Sequence, residues 1–234
     1  MLSVAILSGG LATRMRPITE TIPKALIEVA GRPFVCHQLD YLRHQGITKV
    51  VMCTGYLGEQ IEAIVGDGRE FGLDVKYSVD GPTLLGTGGA LKRALPLLED
   101  AFFVLYGDSY LPCDFRAVEE TFHRSGKSAL MTVMRNENQW DKSNVIFRDG
   151  RIVLYSKRDP RPEMAHIDYG LGIVSSTVLN GYPDAKPFDL ADVYQALSIA
   201  DRLAGFEVRE RFYEIGSLKG LQETESYLSK EVLL

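Results

Sequence analysis

Apolar residues follow two rhythms along the chain, and their alternation predicts a fold class before any chemistry is considered. Residues 2–7 (LSVAIL), 49–54 (KVVMCT), 73–79 and 101–106 (AFFVLY) are short, nearly continuous apolar runs, the pattern of strands buried on both faces. Between them, residues 34–45 place Phe34, Val35, Leu39 and Leu42 at helical spacing and stop at Gly46. Residues 56–65 form an amphipathic stretch ending in Gly66-Asp67-Gly68, and residues 90–98 also read as helix. The alternation predicts an α/β domain, Rossmann-like, with three α/β/α layers and a mixed, mainly parallel central sheet. Ligands of such sheets bind beyond the carboxyl ends of the strands. The loops after Leu7, Val79 and Tyr106 are therefore where chemistry is expected.

The rhythm changes after residue 127. Strands are predicted over 128–134, 144–147, 152–155, 167–175 and 212–215, with Asp149-Gly150 as a hairpin turn. Helices are predicted over 190–203 and 217–228, and Trp140 is expected to pack in the core. No repeat or linker interrupts the chain. Residues 1–234 read as a single domain, with an amino-terminal half (1–110) and a carboxy-terminal half (111–234).

Composition narrows the function classes. The 234 residues are 45% hydrophobic and 24% charged, with a net charge of −5, which describes a globular protein with a sizeable core. That charge gives no basic footprint for nucleic acid, although a few cations and backbone N–H groups suffice to bind a phosphate. No apolar stretch approaches the length of a membrane span. Cys36, Cys53 and Cys113 are scattered, which suits a reducing cytoplasm and gives neither a disulfide framework nor metal-ligand spacing. A homo-oligomer is compatible with all of these values.

Three segments carry candidate chemistry. The first runs from Leu7-Ser8-Gly9-Gly10 through Ala12-Thr13-Arg14 and Pro17 to Pro23-Lys24. Glycines admit a ligand close to the backbone, Arg14 can fork two donors onto a phosphate, and Lys24 supplies a compact charge. Gly9-Gly10 alone would mean only a strand-to-helix turn. The second segment is Leu85-Gly86-Thr87-Gly88-Gly89-Ala90, either a turn or a close approach to a flat base. The third, Tyr106-Gly107-Asp108-Ser109, sets an acid directly after a buried strand, either for a metal or as a helix cap.

Taken together, these segments resemble the sugar-1-phosphate nucleotidyltransferase family. The resemblance implies that Leu7, Ser8, Gly9, Gly10, Thr13, Arg14, Gly86, Thr87 and Gly107 bind a nucleoside triphosphate, and that Arg14, Lys24 and Asp108 are catalytic. It implies Mg²⁺ as cofactor, held by Asp108 and by Glu214 of Tyr213-Glu214-Ile215-Gly216. It implies that Lys157 and Asp168 bind a phosphorylated small-molecule acceptor. This chain departs from the family pattern in having Ala12 for a glycine, Glu214 for an aspartate and Asp168 for an asparagine. Ala12 is expected to fit its loop with a negative φ. Within the family the chain looks most like heptose 1-phosphate guanylyltransferases, and residues 66–72 are similar to compact N-acetylmuramate 1-phosphate uridylyltransferases. The implied reaction joins a nucleoside triphosphate to a sugar 1-phosphate, with GTP and heptose or mannose 1-phosphate the first expectation and UTP or CTP with another phosphorylated sugar or polyol the alternative. The readings that compete with it are a metal-dependent glycosyltransferase and a non-catalytic nucleotide-binding subunit.

Overall fold

A computed structural model describes residues 1–184 and 186–231. The strands are β1 (Val4–Ser8), β2 (Glu28–Val29), β3 (Arg32–Pro33), β4 (Lys49–Thr54), β5 (Asp74–Val79), β6 (Ala101–Tyr106), β7 (Ser109–Tyr110), β8 (Ala129–Arg135), β9 (Val145–Arg148), β10 (Arg151–Tyr155), β11 (His166–Ser175), β12 (Leu203–Val208) and β13 (Tyr213–Glu214). The α-helices are α1 (Phe34–His44), α2 (Gly58–Val65), α3 (Gly86–Ala94), α4 (Phe115–Ser125), α5 (Leu190–Ile199) and α6 (Leu218–Glu231). Nine strands form one mixed sheet in the order β5-β4-β1-β6-β11-β8-β12-β10-β9. The first four pair in parallel, and β11 then runs antiparallel to both β6 and β8. β8 and β12 are parallel again, while β10 is antiparallel to β12 and to β9.

The sheet is apolar on both faces because its strands are apolar at successive positions. Val4 and Ile6 of β1, with Phe103 and Leu105 of β6, join α1, α2 and α4 in one core. Ala5 of β1, with Phe102 and Val104 of β6, joins α3 and α5 in a second. A third cluster, with Met15, Phe34, Tyr110 and Ile215, lies under Leu228 of α6. This is the alternation that a period of two dictates.

Helix α4, strand β12 and the two-residue strands β2, β3 and β7 escaped the sequence reading. Helix α4 has Phe115, Val118 and Phe122 on its buried face, Asp114 capping the Ala117 N–H at 3.1 Å, and Gly126 closing it in the left-handed region. Those start and stop signals were readable. The helix predicted to reach Leu203 ends instead at Ile199, and Asp201 turns the chain with a φ of 52°. Leu203 therefore opens β12, where Gly205 leaves room for the Phe147 ring. Trp140 is also corrected, because its side chain is largely exposed and lies 3.8 Å below the Arg211 guanidinium.

Candidate functional site

Strand β1 delivers the first loop to the carboxyl edge of the sheet, between β4 and β6. Gly9 lies against the backbone of Gly55, where an added Cβ would stand 3.2 Å from the Gly55 nitrogen. Gly10 has open space at the same position, so packing does not require a glycine there. Ala12 has φ 48° and ψ 41°, which corrects the expectation of a negative φ. An alanine occupies a left-handed position that a glycine would fill without strain. The Ala12 carbonyl holds the loop closed by accepting from the Met15 N–H at 3.0 Å and the Thr19 hydroxyl at 2.8 Å.

Asp108 follows β6, and its Oδ2 is 2.8 Å from the Lys24 ammonium. Both side chains are partly buried, 18% exposed for Lys24 and 28% for Asp108. Gly107 precedes it because a Cβ there would collide with the Ser8 hydroxyl and stand 3.0 Å from the Leu7 carbonyl. The ends of β1 and β6 are thus locked together, and the Gly107 N–H donates to the Leu7 carbonyl at 2.9 Å.

Leu7, Ser8, Gly9, Gly10, Lys24, Gly86, Thr87, Gly107 and Asp108 line one cavity of about 250 Å³, so nine predicted positions converge. The second glycine segment does less at the cavity than its composition suggested. It forms the first turn of α3, where Gly88 makes room for the Phe188 ring and Gly89 for the Lys186 carbonyl. Thr87 lines the cavity, but its hydroxyl donates to Asp189 and accepts the Leu190 N–H, both at 2.8 Å. It joins the start of α3 to the start of α5.

Sequence reasoning missed Asp80, which lies one residue beyond β5, is 6% exposed and lines the same cavity. Its Oδ2 accepts the Leu85 N–H at 3.0 Å, while its Oδ1 is buried without a protein partner. Burial raises its carboxyl, against the Leu85 N–H and the charge of Arg93. The signal was present in its position, directly after the third predicted strand.

The remaining predicted residues surround the cavity without lining it. Thr13 and Arg14 form an exposed 3₁₀ turn. The Arg14 Nη2 and Asp108 Oδ2 come within 3.4 and 3.5 Å of the place a Cβ on Gly216 would take, so both face that glycine. Glu214 faces it too, and its carboxylate accepts from the Gly216 N–H and, at 2.8 Å, from the Ser217 hydroxyl at the start of α6. Backbone pairing sets Glu214 opposite Ser109, and the Ile215 N–H donates to the Asp108 carbonyl at 3.0 Å.

Asp168 lies on β11, where its Oδ1 accepts the Gly170 N–H at 3.0 Å. Burial pushes its carboxyl up to about 6, against that N–H and the Lys157 charge. Tyr106 connects it to the cavity, because Tyr106 lines the cavity and its phenol, beyond its own burial, is raised by the Asp168 charge. Lys157 is exposed, with its ammonium 3.7 Å from Asp189. Asp189 is a second residue the sequence reading missed. Burial opposes its charge, but the Ala191 N–H, the Thr87 hydroxyl and the Lys157 and Arg158 charges hold its carboxyl below the usual range.

Asp108 and Glu214 bring carboxylate oxygens to the same place beside Gly216, and no group of three or more His, Cys, Asp or Glu residues suited to a metal occurs among the described residues. That set fits a hard cation which takes one or two carboxylates and completes its shell with phosphate and water. No helix among the described residues is long and apolar enough to cross a membrane.

Residues 3–144 match the family described as "Nucleotidyl transferase". The chain is 30% identical over 227 residues to the N-acetylmuramate alpha-1-phosphate uridylyltransferase of Neisseria meningitidis serogroup B, covering 94% of this chain and 96% of that one. It is 29% identical to the D-glycero-alpha-D-manno-heptose 1-phosphate guanylyltransferase of Aneurinibacillus thermoaerophilus, covering 90% and 91%. Among solved structures, HddC from Yersinia pseudotuberculosis complexed with GMP-PN superimposes with a TM-score of 0.81 at 24% identity, covering 97% of this chain and 100% of that one. That likeness concerns the fold.

Proposed function

The chain belongs to the nucleotidyl transferase family, and from that premise we propose that it is an enzyme forming a nucleotide sugar and pyrophosphate from a nucleoside triphosphate and a sugar 1-phosphate. The observation that carries this reading is the Lys24–Asp108 pair in a glycine-walled cavity between the ends of β1 and β6. We read the fold at the finer level as a Rossmann-like three-layer arrangement, which the separate cores on the two sheet faces support.

An acceptor phosphate oxygen attacks the α-phosphorus, a new O–P bond forms, and the bond to the β-phosphate oxygen breaks with its electrons leaving on pyrophosphate. A phosphate dianion is already a nucleophile, so the protein's task is placement and charge neutralisation. The Gly9-Gly10 backbone approaches the triphosphate, Arg14 reaches it from the exposed turn, and Lys24 leaves Asp108 to neutralise charge at the reacting phosphate. Asp108 would hold Mg²⁺, with Glu214 as the second carboxylate. When bound, the ion supplies charge neutralisation and orientation of the triphosphate. Lys157 takes the acceptor phosphate and Asp168 accepts hydrogen bonds from its hydroxyls.

At the level of the base, GTP with heptose or mannose 1-phosphate is the first reading. It is supported by the relatives named as guanylyltransferases and by the unpartnered Asp80 Oδ1 in the cavity. A carboxylate oxygen seeks donors, and the guanine edge offers adjacent N–H and NH₂ groups where uracil offers one N–H. The 30% identity to a uridylyltransferase favours UTP as the second reading. A matrix of nucleoside triphosphates against phosphorylated sugars, read by pyrophosphate release, tests both. Turnover with GTP and a heptose or mannose 1-phosphate is expected, and release with no sugar 1-phosphate would overturn the reading.

A further inference from the structure

Helix α1 carries a polar residue where its spacing calls for an apolar one. Phe34, Gln38 and Leu42 lie one above another at i, i+4 and i+8. Phe34 and Leu42 are buried, and Gln38 is 2% exposed between them. Its Nε2 donates to two backbone carbonyls, Tyr106 at 3.0 Å and Ser109 at 2.7 Å. Those carbonyls bracket Gly107 and Asp108. Carbonyls only accept, so the NH₂ end must face them both, one hydrogen to each. The Oε1 is then left buried without a partner. An amide that gives up one of its own bonds to hold two others is placed for the turn it holds.

We infer that Gln38 is the positioning residue for Asp108. It lies outside the cavity lining and acts by fixing the turn from two sides. On one side Tyr106 ends β6, and on the other Ser109 opens β7, the strand paired with β13 so that Ser109 faces Glu214. The Ile215 N–H adds a third anchor at the Asp108 carbonyl. One buried amide thereby sets where the Asp108 carboxylate points and the register that brings Glu214 beside it. A shift of about 1 Å in such a group costs on the order of 10²-fold in rate. Among the described residues, no other side chain of α1 donates to these two carbonyls.

The inference rests on Asp108 holding the metal, and its test separates the two claims. Gln38→Met keeps the volume and removes both donors. Gln38→Asn keeps the amide but is one methylene too short to reach both carbonyls, and it serves if the methionine variant does not fold. Mn²⁺ binding is followed by electron paramagnetic resonance of the free ion, with a non-hydrolysable GTP analogue present, beside Mg²⁺ titrations of pyrophosphate release. We expect Mn²⁺ affinity to weaken about fivefold or more and the half-activating Mg²⁺ concentration to rise by the same factor, with kcat falling about tenfold and the acceptor KM within twofold of the unaltered enzyme. A folded variant with unchanged Mn²⁺ affinity, or a loss shared equally by the acceptor KM, overturns the positioning role. Asp108→Asn in the same titration is the control: unchanged Mn²⁺ affinity there sinks the metal reading of Asp108, and the inference with it.

Discussion

The two halves of the chain build their parts of the site in different ways. Through residue 110 the polar groups arrive at the ends of neighbouring parallel strands, and much of the cavity wall is backbone: Gly9, Gly10, Gly86 and Gly107. Beyond residue 110 the contributions are long or charged side chains, Lys157, Asp168, Asp189 and Glu214, brought in by strand reversals and distant pairings. β11 makes the junction, because it inserts antiparallel beside β6 and carries Asp168 next to Tyr106. Backbone walls leave little to vary by single substitution, whereas side chains are exchanged one at a time. Under the proposed function, the first half would take the fixed task, handling a triphosphate, and the second the discrimination among acceptors.

The sharpest way to break this comparison is to remove the two side chains on which the first half does depend. Lys24→Ala and Asp108→Ala should each lower kcat by about 10²-fold or more, since each removes a charge placed at the reacting phosphates. Stability should hardly change, because a partly exposed pair such as this contributes about 0–1 kcal/mol. Steady-state kinetics beside thermal unfolding separates the two effects. Near-normal turnover in a folded variant would show that the cavity does not perform phosphoryl chemistry.

The same division explains what could be read in the sequence. Strand ends followed by Gly-Gly or Gly-Asp are local signals, so Gly9, Gly10, Gly107 and Asp108 were legible, and all four line the cavity. Asp80 and Asp189 were missed because each is an ordinary loop acid until long-range packing supplies its neighbours: the wall of the β1 loop for one, Thr87 and Lys157 for the other. Gln38 was hidden inside a helical pattern that reads as core. The Gly88-Gly89 pair misled in the opposite sense, since a glycine cluster looks the same whether a ligand or Phe188 fills the space beside it. At the level of the fold, most of the long strands were recognisable, but the helix was carried through to Leu203 because Asp201 gives no strong stop signal in sequence, and the rest of β12 was assigned to no element.

A smaller effect sharpens the role given to the second half. Asp168→Asn should change acceptor preference by about fivefold, the factor that one altered hydrogen bond of about 1 kcal/mol supports, with the nucleotide KM left in place. It should also change the dependence of stability on pH. The folded-state carboxyl lies at about 6, above the ordinary aspartate value of 3.8 that applies to the unfolded chain. Folding is therefore favoured by protonation, and the stability associated with Asp168 is fully present below pH 3.8 and lost as pH rises through 6. The melting temperatures of the two proteins should converge toward pH 4 and separate by pH 7, with the asparagine variant the more stable. An unchanged acceptor profile would remove Asp168 from the site, and a parallel pair of melting curves would remove its burial as the cause.

The smallest effect concerns the one place where the backbone half departs from its own logic. Ala12 has a left-handed backbone (φ 48°) in a loop otherwise supplied with glycines. The left-handed region costs an alanine about 1–2 kcal/mol, whereas a glycine there adds about 0.4–1 kcal/mol of unfolded-chain entropy to be lost on folding. The difference favours Ala12→Gly by a few tenths to about 1 kcal/mol, and the sign is the informative part. If the loop held Ala12 at negative φ, only the entropy term would remain and the glycine variant would be the less stable. The bonds that close the loop use the carbonyl of residue 12, to Met15 and Thr19, and survive the substitution. Nucleotide KM should therefore stay within twofold of the unaltered enzyme. Denaturant unfolding that shows a gain in stability with KM unchanged would mean that the strain at Ala12 is carried by the fold and not used by the reaction. A gain in stability accompanied by a loss of nucleotide affinity would mean the reverse: that a stiff residue at this turn holds the phosphate-facing N–H groups in place, and that the backbone half depends on a side chain after all.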